Sequence, residues 1–270
     1  MSALVAETID LYLASMNALP LPLRELGDML PAPERARIAR FQREADQQRQ
    51  TAAAALLRWV LATYRCCDPA SLEFTRGAYG KPGLQGGPAF NLSHSGAWIL
   101  IGVAPSGRLG VDVEVVRPLA DMDRLAHQNF APDEVSALLE TQPSQRERTF
   151  YRAWTRKEAY LKALGHGLTL PLHSFSVSLD PAPDAALLRT DDPSEPPEGW
   201  SLRSVPCPPD AEAALAWDRP ACSVRWRALP GTTPGGGVSV QQPWSHVPRH
   251  PYGVGAADVA FAQRQVDAIA

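Results

Sequence analysis

The chain has 270 residues, with 26 Lys or Arg against 29 Asp or Glu, so its formal net charge is −3. This length allows one large domain or two smaller ones, and the near-neutral balance excludes the strong positive field typical of nucleic-acid-binding proteins. The longest apolar run, Ala97 to Ala104, is too short to cross a bilayer and no basic leader precedes the first apolar residues, so we expect a soluble cytoplasmic protein that binds neither nucleic acid nor membrane.

The cysteine and proline content further limits the class of protein. The four cysteines, Cys66, Cys67, Cys207 and Cys222, lack the paired spacing of a zinc site and are too few for a disulfide scaffold. We therefore expect reduced thiols. The 26 prolines are about twice the average share, and many follow Pro181, which predicts a second half rich in loops.

The first 107 residues predict a strand, a long helix and several short strands. Residues 7–15 alternate as a strand, and residues 33–65 carry apolar side chains at helical spacing, with a break near Asp46. Residues 72–84 predict a strand and a glycine-proline turn, and residues 89–107 predict two strands around a bend. The arginines of the helix, Arg37, Arg40, Arg43 and Arg49, lie on its other faces, where they either bind a ligand or form a solvated surface.

The same order of elements follows again. Residues 108–118 predict a strand, three helices follow between residues 121 and 164, and strands are predicted within 174–180, 199–205 and 221–229. This pattern predicts two similar halves, 1–107 and 108–229. Residues 230–270 have the composition of a flexible tail that ends in a short helix. His246 and His250 lie four apart in that tail, but prolines around them argue against a metal site.

Two carboxylates alternate along the strand that opens the second half. Asp112 and Glu114 point to one face, opposite Val111, Val113 and Val115, and their Cα atoms are about 6.6 Å apart, two strand rises. The pattern favours either a cation between the two carboxylates or a face covered by water.

A third carboxylate, Glu158, lies on the edge of the apolar stripe of the predicted helix that contains Trp154 to Leu164. Lys162 follows one turn later, so Glu158 either forms an i,i+4 ion pair with it or has a ligand of its own. Lys157 falls inside the stripe, where it requires a carboxylate or access to water. Three carboxylates with a nearby lysine suit Mg²⁺, which prefers hard oxygen ligands and is commonly shared with a substrate phosphate.

Four motifs in a fixed order carry a resemblance to a known family. They are the turn Gly80-Lys81-Pro82, the stretch FNLSHSG from Phe90, the stretch GVDVE from Gly110, and WTRKEAYLKALGHGL from Trp154. On these residues the chain resembles the 4′-phosphopantetheinyl transferases of the surfactin-synthetase-activating type, over approximately residues 5 to 228. The resemblance implies an α+β fold of two pseudo-symmetric halves, each a small, mainly antiparallel sheet packed with a long helix, with the active site in the cleft between them.

The resemblance also implies the reaction and its participants. The co-substrate is coenzyme A, the cofactor is Mg²⁺ with Mn²⁺ as an alternative, and the partner is an apo acyl or peptidyl carrier protein whose serine receives the phosphopantetheine arm. A monomer is expected to suffice. The carrier's pathway, whether fatty-acid, polyketide or nonribosomal-peptide synthesis, stays open, as does tolerance for acylated coenzyme A.

The family's functional positions carry over by motif. Glu158 is the expected base, and Lys162 neutralises the diphosphate. The expected metal ligands are Asp112, Glu114 and Glu158. The expected coenzyme A contacts are Arg37, Arg49, Gly80, Lys81, Ser93, His94 and Lys162, with Ser93, His94 and Arg49 at the 3′-phosphate and Gly80 and Lys81 beside the adenine and ribose.

Two positions depart from the family pattern, and simpler interpretations remain for three residues and for the function. Glu34 stands where a basic residue is expected, and Gln50 stands where a small hydroxyl residue is expected, which puts the outer phosphate contacts in doubt. His94 is alternatively a turn histidine that bonds the backbone, and Gly165 and Gly167 are alternatively helix caps. At the level of function, the alternatives are a non-catalytic coenzyme A-binding or carrier-docking module and a metal-dependent nuclease or phosphatase.

Overall fold

The structure is a computed structural model, and it describes residues 7–220 and 222–232. The predicted terminal helix, His246, His250 and the rest of the tail beyond residue 232 lie outside the described residues. The elements before residue 107 are β1 (Glu7–Ser15), α1 (Leu23–Asp28), α2 (Ala32–Ile38), α3 (Glu44–Arg65), β2 (Phe74–Arg76), β3 (Pro82–Leu84), β4 (Ala89–Ser95) and β5 (Trp98–Ala104). The elements that follow are β6 (Leu109–Val115), α4 (Met122–Asn129), α5 (Pro132–Glu140), α6 (Pro143–Leu164), β7 (Phe175–Val177), β8 (Asp184–Ala185), β9 (Leu187–Thr190), β10 (Ser201–Ser204), β11 (Ala211–Trp217) and β12 (Cys222–Trp226).

Two four-stranded sheets form the framework. The first has the strand order β12-β1-β5-β4 and the second the order β6-β11-β10-β8. Every pairing in them is antiparallel except that of β1 with β12. Two small ribbons, β2 with β3 and β7 with β9, lie outside these sheets. The α+β class and the mainly antiparallel halves are therefore confirmed.

Three apolar layers hold the sheets and helices together, and the period of two along each strand decides which residue enters which layer. Tyr12 and Ala14 of β1 pack with buried residues of α3, whereas Ile9 and Leu11 pack between the two sheets. In the second half, alternate alanines of β11 pack against α6, and the intervening residues face the first sheet. The order across the molecule is therefore helix, sheet, sheet, helix.

Local contacts explain where the two long helices begin and end, and one of these positions differs from the prediction. The helical segment predicted for residues 33–65 does contain a break, but the break lies at residues 39–43, between α2 and α3, and not at Asp46, which belongs to α3. The side chain of Gln47 donates to the carbonyls of Ala39 and Phe41 in that gap. Gly165 ends α6 with φ of +73°, a left-handed conformation that glycine adopts at low cost.

Strand β12 crosses the predicted boundary between the halves. It pairs with β1 in the first sheet, although the sequence stretch 221–229 was assigned to the second half. Asp10 of β1 reinforces the pairing by accepting two hydrogen bonds from Arg225, at 2.7 and 3.1 Å. The boundaries at residues 107 and 229 stay a prediction, and the observed pairing means that the last described strand joins the first sheet. Among the described residues, no helix is long and apolar enough to cross a membrane.

Candidate active site

The two sheets meet where their edge strands β4 and β6 lie side by side, and the two alternating carboxylates of β6 lie at this seam. Asp112 is 2% exposed, and its Oδ1 accepts a hydrogen bond of 2.8 Å from the hydroxyl of Ser93. Glu114 accepts one of 2.5 Å at Oε2 from the hydroxyl of Ser95. Each carboxylate of the second sheet is therefore bonded by a serine of the first sheet.

Helix α6 reaches the same place because Gly110 lets its backbone approach β6. A Cβ atom on Gly110 would lie 1.9 Å from the carbonyl oxygen of Ala159, so only glycine permits this contact. The approach brings the ammonium of Lys162 to 2.5 Å from Asp112 Oδ1 and 3.1 Å from the hydroxyl of Ser93. The i,i+4 pair between Glu158 and Lys162 is not among the ion pairs within 4.0 Å in the described chain, where Lys162 pairs with Asp112.

Glu158 and Glu114 both interact electrostatically with Asp112. Burial raises the pKa of Glu158, and the charge of Asp112 raises it further, while Lys162 acts in the opposite direction. Burial and the Asp112 charge likewise raise the pKa of Glu114. Burial alone would lower the pKa of Lys162, but the charges of Asp112 and Glu158 outweigh it and raise that pKa. Three carboxylates thus share the field of one ammonium.

The donor chemistry of this cluster fits a hard divalent cation in part. Asp112 Oδ2 is buried and forms no hydrogen bond, which is unusual for a carboxylate oxygen. Within residues 7–220 and 222–232, however, no three His, Cys, Asp or Glu side chains are placed so that together they could hold a metal ion. Mg²⁺ commonly takes only one or two carboxylates and completes its octahedron with waters and substrate phosphates, so Asp112 and its neighbours suit that mode better than a cage made only of protein ligands.

The predicted phosphate-binding residues of the first half separate into two groups. His94 is half-buried on β4, and its Nε2 lies 3.3 Å from the side-chain nitrogen of Gln50 on α3. Burial lowers the pKa of His94 to about 4, with further contributions from the positive charges of Arg49 and Lys162. Arg49 and His94 are therefore close enough to interact electrostatically, and Gln50, one of the two departures from the family pattern, contacts His94 directly.

Ser93 and Arg37 lie elsewhere. Ser93 faces Asp112, whereas the adjacent His94 contacts α3, as expected for consecutive residues of a strand. Arg37 is half-exposed and pairs with Glu34 at 3.9 Å. Glu34, the second departure from the family pattern, also accepts a 2.7 Å bond from Arg58, a buried guanidinium, so this acidic residue neutralises a structural cation.

Lys81 connects the hairpin β2–β3 to both β6 and α6. Its ammonium donates to the carbonyls of Leu109 on β6 and Ala163 on α6, at 2.9 and 3.0 Å. Burial lowers the pKa of Lys81 to about 8. The neighbouring Gly80 occupies the hairpin turn with φ of +83°, which favours glycine.

A cavity of about 680 Å³ lies beside this lysine, a volume typical of small-molecule sites. It is bordered by the hairpin, the start of β4, the β5–β6 turn and the last residues of α6. Its lining residues include Arg76, Tyr79, Phe90, Arg108 and His166. Cationic and aromatic side chains therefore surround a space next to Gly80 and Lys81.

Lys157, which the sequence placed inside the apolar stripe of α6, is fully buried and finds the carboxylate that it requires. Its ammonium donates to both oxygens of Glu134 at 2.8 and 2.6 Å and to the carbonyl of Phe175 at 2.7 Å. Glu134 also accepts the backbone N–H of Ala131 and of Val177. Neither Glu134 nor Ser95 is among the site residues predicted from the sequence. The sequence marks Glu134 only as an acidic residue in the first turn of a predicted helix, whereas Ser95 follows Ser93 at the alternate spacing that places both on one face of a strand.

Comparisons with known proteins give consistent results over most of the chain. Residues 108–215 match the family model described as 4′-phosphopantetheinyl transferase superfamily, and residues 21–106 match that described as 4′-phosphopantetheinyl transferase, N-terminal. The 4′-phosphopantetheinyl transferase HetI of Nostoc sp. is 32% identical over 218 residues, which cover 79% of this chain and 89% of the relative.

Two further relatives match over shorter stretches. A putative 4′-phosphopantetheinyl transferase of Synechocystis sp. is 41% identical over 145 residues, which cover 52% of this chain and 59% of that protein. The 4′-phosphopantetheinyl transferase Sfp of Bacillus subtilis is 34% identical over 148 residues, which cover 54% of this chain and 65% of that protein. The matched stretches thus span less than two thirds of these two relatives.

Proposed function

The chain belongs to the 4′-phosphopantetheinyl transferase family, and we propose that it transfers the 4′-phosphopantetheine arm of coenzyme A to a serine of an apo acyl or peptidyl carrier protein. The products are the holo carrier and adenosine 3′,5′-bisphosphate. The observation that supports this most strongly is the contact of Lys162 with Asp112 at the seam, beside Glu114 on the same strand face, since a diphosphate needs both a cation site and a further positive charge.

We propose that Asp112 holds Mg²⁺, or Mn²⁺ in its place, together with Glu114 or Glu158, since the three carboxylates are not placed to hold an ion jointly. When bound, the ion supplies Lewis-acid stabilisation of the diphosphate oxygens and a template for their orientation. Lys162, a compact point charge within 2.5 Å of Asp112, offsets negative charge on the same diphosphate. The unbonded Oδ2 of Asp112 supports the assignment of this carboxylate as a ligand.

The nucleotide end of coenzyme A is proposed to bind along β4 and the hairpin. Arg49 and His94 are proposed for the 3′-phosphate, with Arg37 further out on α2, and a forked guanidinium suits that group. Lys81 borders the cavity where the adenine and ribose are proposed to lie, and Gly80 precedes it in the hairpin turn. Ser93 already donates its one hydroxyl proton to Asp112, so its proposed phosphate contact requires a change of rotamer.

The chain's own acid–base chemistry is assigned to Glu158. A carboxylate held at the seam accepts the proton of the attacking carrier serine, directly or through a water, and general-base catalysis of this kind contributes about 10²- to 10⁴-fold. Residues from both sheets and from α6 complete the site within one chain. We therefore propose a monomer that acts in the cytoplasm.

The test is a loading assay with coenzyme A, Mg²⁺ and a panel of apo carriers, followed by intact-protein mass spectrometry. We expect a mass gain of one phosphopantetheine arm on at least one carrier. The variant Glu158→Gln should abolish turnover without changing the thermal unfolding midpoint, and Glu140→Gln, an exposed carboxylate of α5, should load at the normal rate.

Two outcomes contradict parts of this proposal. Full-rate loading by Glu158→Gln defeats its assignment as the base. Binding of coenzyme A without a mass gain on any carrier favours the alternative, a non-catalytic module that holds coenzyme A or docks a carrier.

A further inference from the structure

Three polar side chains at alternate positions of β4 connect the two sheets. The side-chain oxygens of Asn91, Ser93 and Ser95 accept the backbone N–H groups of Val111, Val113 and Val115, at 2.8, 3.3 and 3.2 Å. All three polar side chains are buried. The partners are 20 positions apart in every case, so β4 and β6 run in the same direction. Side chains therefore replace the backbone pairing that neighbouring strands normally form.

The three side chains differ in whether they can also donate a hydrogen bond. The amide oxygen of Asn91 only accepts a hydrogen bond, whereas a serine hydroxyl also has one proton to donate. Ser93 donates that proton to Asp112 and Ser95 donates it to Glu114. The two serines thus join the sheets and also bond the two carboxylates, while the asparagine only joins the sheets.

We propose that Ser95 is a positioning residue that orients Glu114 towards a divalent cation. This inference rests on the proposed function, because it assigns the carboxylates to a metal. A hydrogen bond to one oxygen of a carboxylate limits the rotation of the group and so sets the direction of the other oxygen. At Asp112, Oδ1 is held by Ser93 and Lys162 while Oδ2 forms no hydrogen bond, so one oxygen is fixed and the other is available as a ligand. Outer partners of this kind typically change metal affinity by about 10- to 100-fold.

Ser95 gives the cleaner test of the two serines. Ser93 also accepts a bond from Lys162, so its replacement changes the proposed diphosphate contact as well. The hydroxyl of Ser95 lies 2.5 Å from Glu114 Oε2. Asn91 supplies a matched control, since it accepts the same kind of backbone bond from β6 at 2.8 Å and is buried to a similar extent.

The experiment titrates Mn²⁺ into the full chain and follows the free ion by electron paramagnetic resonance. We expect Ser95→Ala to raise the dissociation constant for Mn²⁺ by about 10- to 100-fold, and Asn91→Ala to change it by less than about 2-fold, although both variants lose a connection between the sheets and should unfold at lower temperature. If Ser95→Ala does not fold, Ser95→Cys keeps the shape with a weaker donor and should give an intermediate constant.

An unchanged Mn²⁺ affinity in the Ser95 variant, or a loss no larger than that of Asn91→Ala, overturns the inference and leaves Ser95 with only a sheet-joining role. Failure of the unsubstituted chain to bind Mn²⁺ overturns both this inference and the proposed metal ligands. The carrier-loading assay, run on the same preparation, then decides separately whether the proposed transfer occurs.

Discussion

Replacement of Gly110 by alanine should separate α6 from β6 and thereby dismantle the proposed site without touching any of its side chains. The added Cβ would lie 1.9 Å from the carbonyl oxygen of Ala159 and 2.5 Å from the backbone nitrogen of Ala163. Both atoms belong to the helix backbone, so no side-chain rotation relieves the contact. Restoring an ordinary van der Waals separation requires the helix to retreat by about 1.5 to 2.1 Å at this point.

A displacement of this size has two measurable consequences. The Lys162–Asp112 contact, 2.5 Å in length, would lengthen past the hydrogen-bonding limit of about 3.2 Å, and misplacement of a catalytic group by about 1 Å costs on the order of 10²-fold in rate. Overpacking of a well-packed core costs about 1–3 kcal/mol and sometimes more. We therefore expect Gly110→Ala to reduce carrier loading by about 10²-fold and to lower the free energy of unfolding by at least 1 kcal/mol.

The assay combines urea unfolding with the rate of carrier loading measured by mass spectrometry. Gly199→Ala is the matched control, because no atom lies within 4 Å of the Cβ it would add, and it should stay within about 0.5 kcal/mol of the parent. Gly110→Ala with parental stability and loading rate would refute the conclusion that the close approach of helix and strand builds the site.

Two further predictions concern buried ionisable groups. Lys157→Met should lower the free energy of unfolding, measured in urea, by about 3–5 kcal/mol because it leaves Glu134 buried without a counter-charge. The double variant with Glu134→Gln should recover part of that loss. A Lys157→Met variant with the parental urea midpoint would contradict this prediction. Because the folded chain holds the pKa of His94 at about 4, below the ordinary value near 6.5, the unfolded chain takes up the proton first on acidification, and stability should fall as the pH drops from about 6.5 to 4. Unfolding measured at several pH values should therefore show a weaker decline in His94→Asn than in the parent, and equal slopes would show that His94 does not contribute.

The elements with strong local patterns were predicted well from the sequence. The strand β1 was predicted at residues 7–15, which are its bounds in the structure. Its sequence alternates enough to mark a strand although most of its residues are buried. The helix α6 and the strand β5 were also predicted within a few residues of their bounds. The predicted Ser-His-Ser-Gly bend is wrong in part, because Ser93, His94 and Ser95 belong to β4 and pair with β5, and the turn lies at Gly96 and Ala97. The ordered motifs predicted the transferase family, and the comparisons confirm it.

The strand β11 shows why other elements were missed. Its sequence, AEAALAW, is rich in alanine, and every residue in it is buried, so it lacks the alternation that marks a half-exposed strand. It lies in the second sheet beside β6, with α6 on one face and the first sheet on the other. Small residues such as Ala214 and Ala216 are needed where α6 packs closely on the strand. This requirement depends on the tertiary structure and leaves no local pattern in the sequence.

The candidate site, like the fold, could be predicted from the sequence only in part. The sequence by itself determined that Asp112 and Glu114 share one face of a strand and that Glu158 and Lys162 share one edge of a helix, because both facts follow from the periods of 2 and 3.6 residues. Only the tertiary structure decided that Lys162 pairs with Asp112, that Ser95 bonds Glu114 and that Glu134 neutralises Lys157. These partners are 19 to 50 positions apart in the chain. Such pairs depend on how closely whole elements approach, and here that distance is set by Gly110 and by the side-chain bonds across the seam rather than by any local pattern.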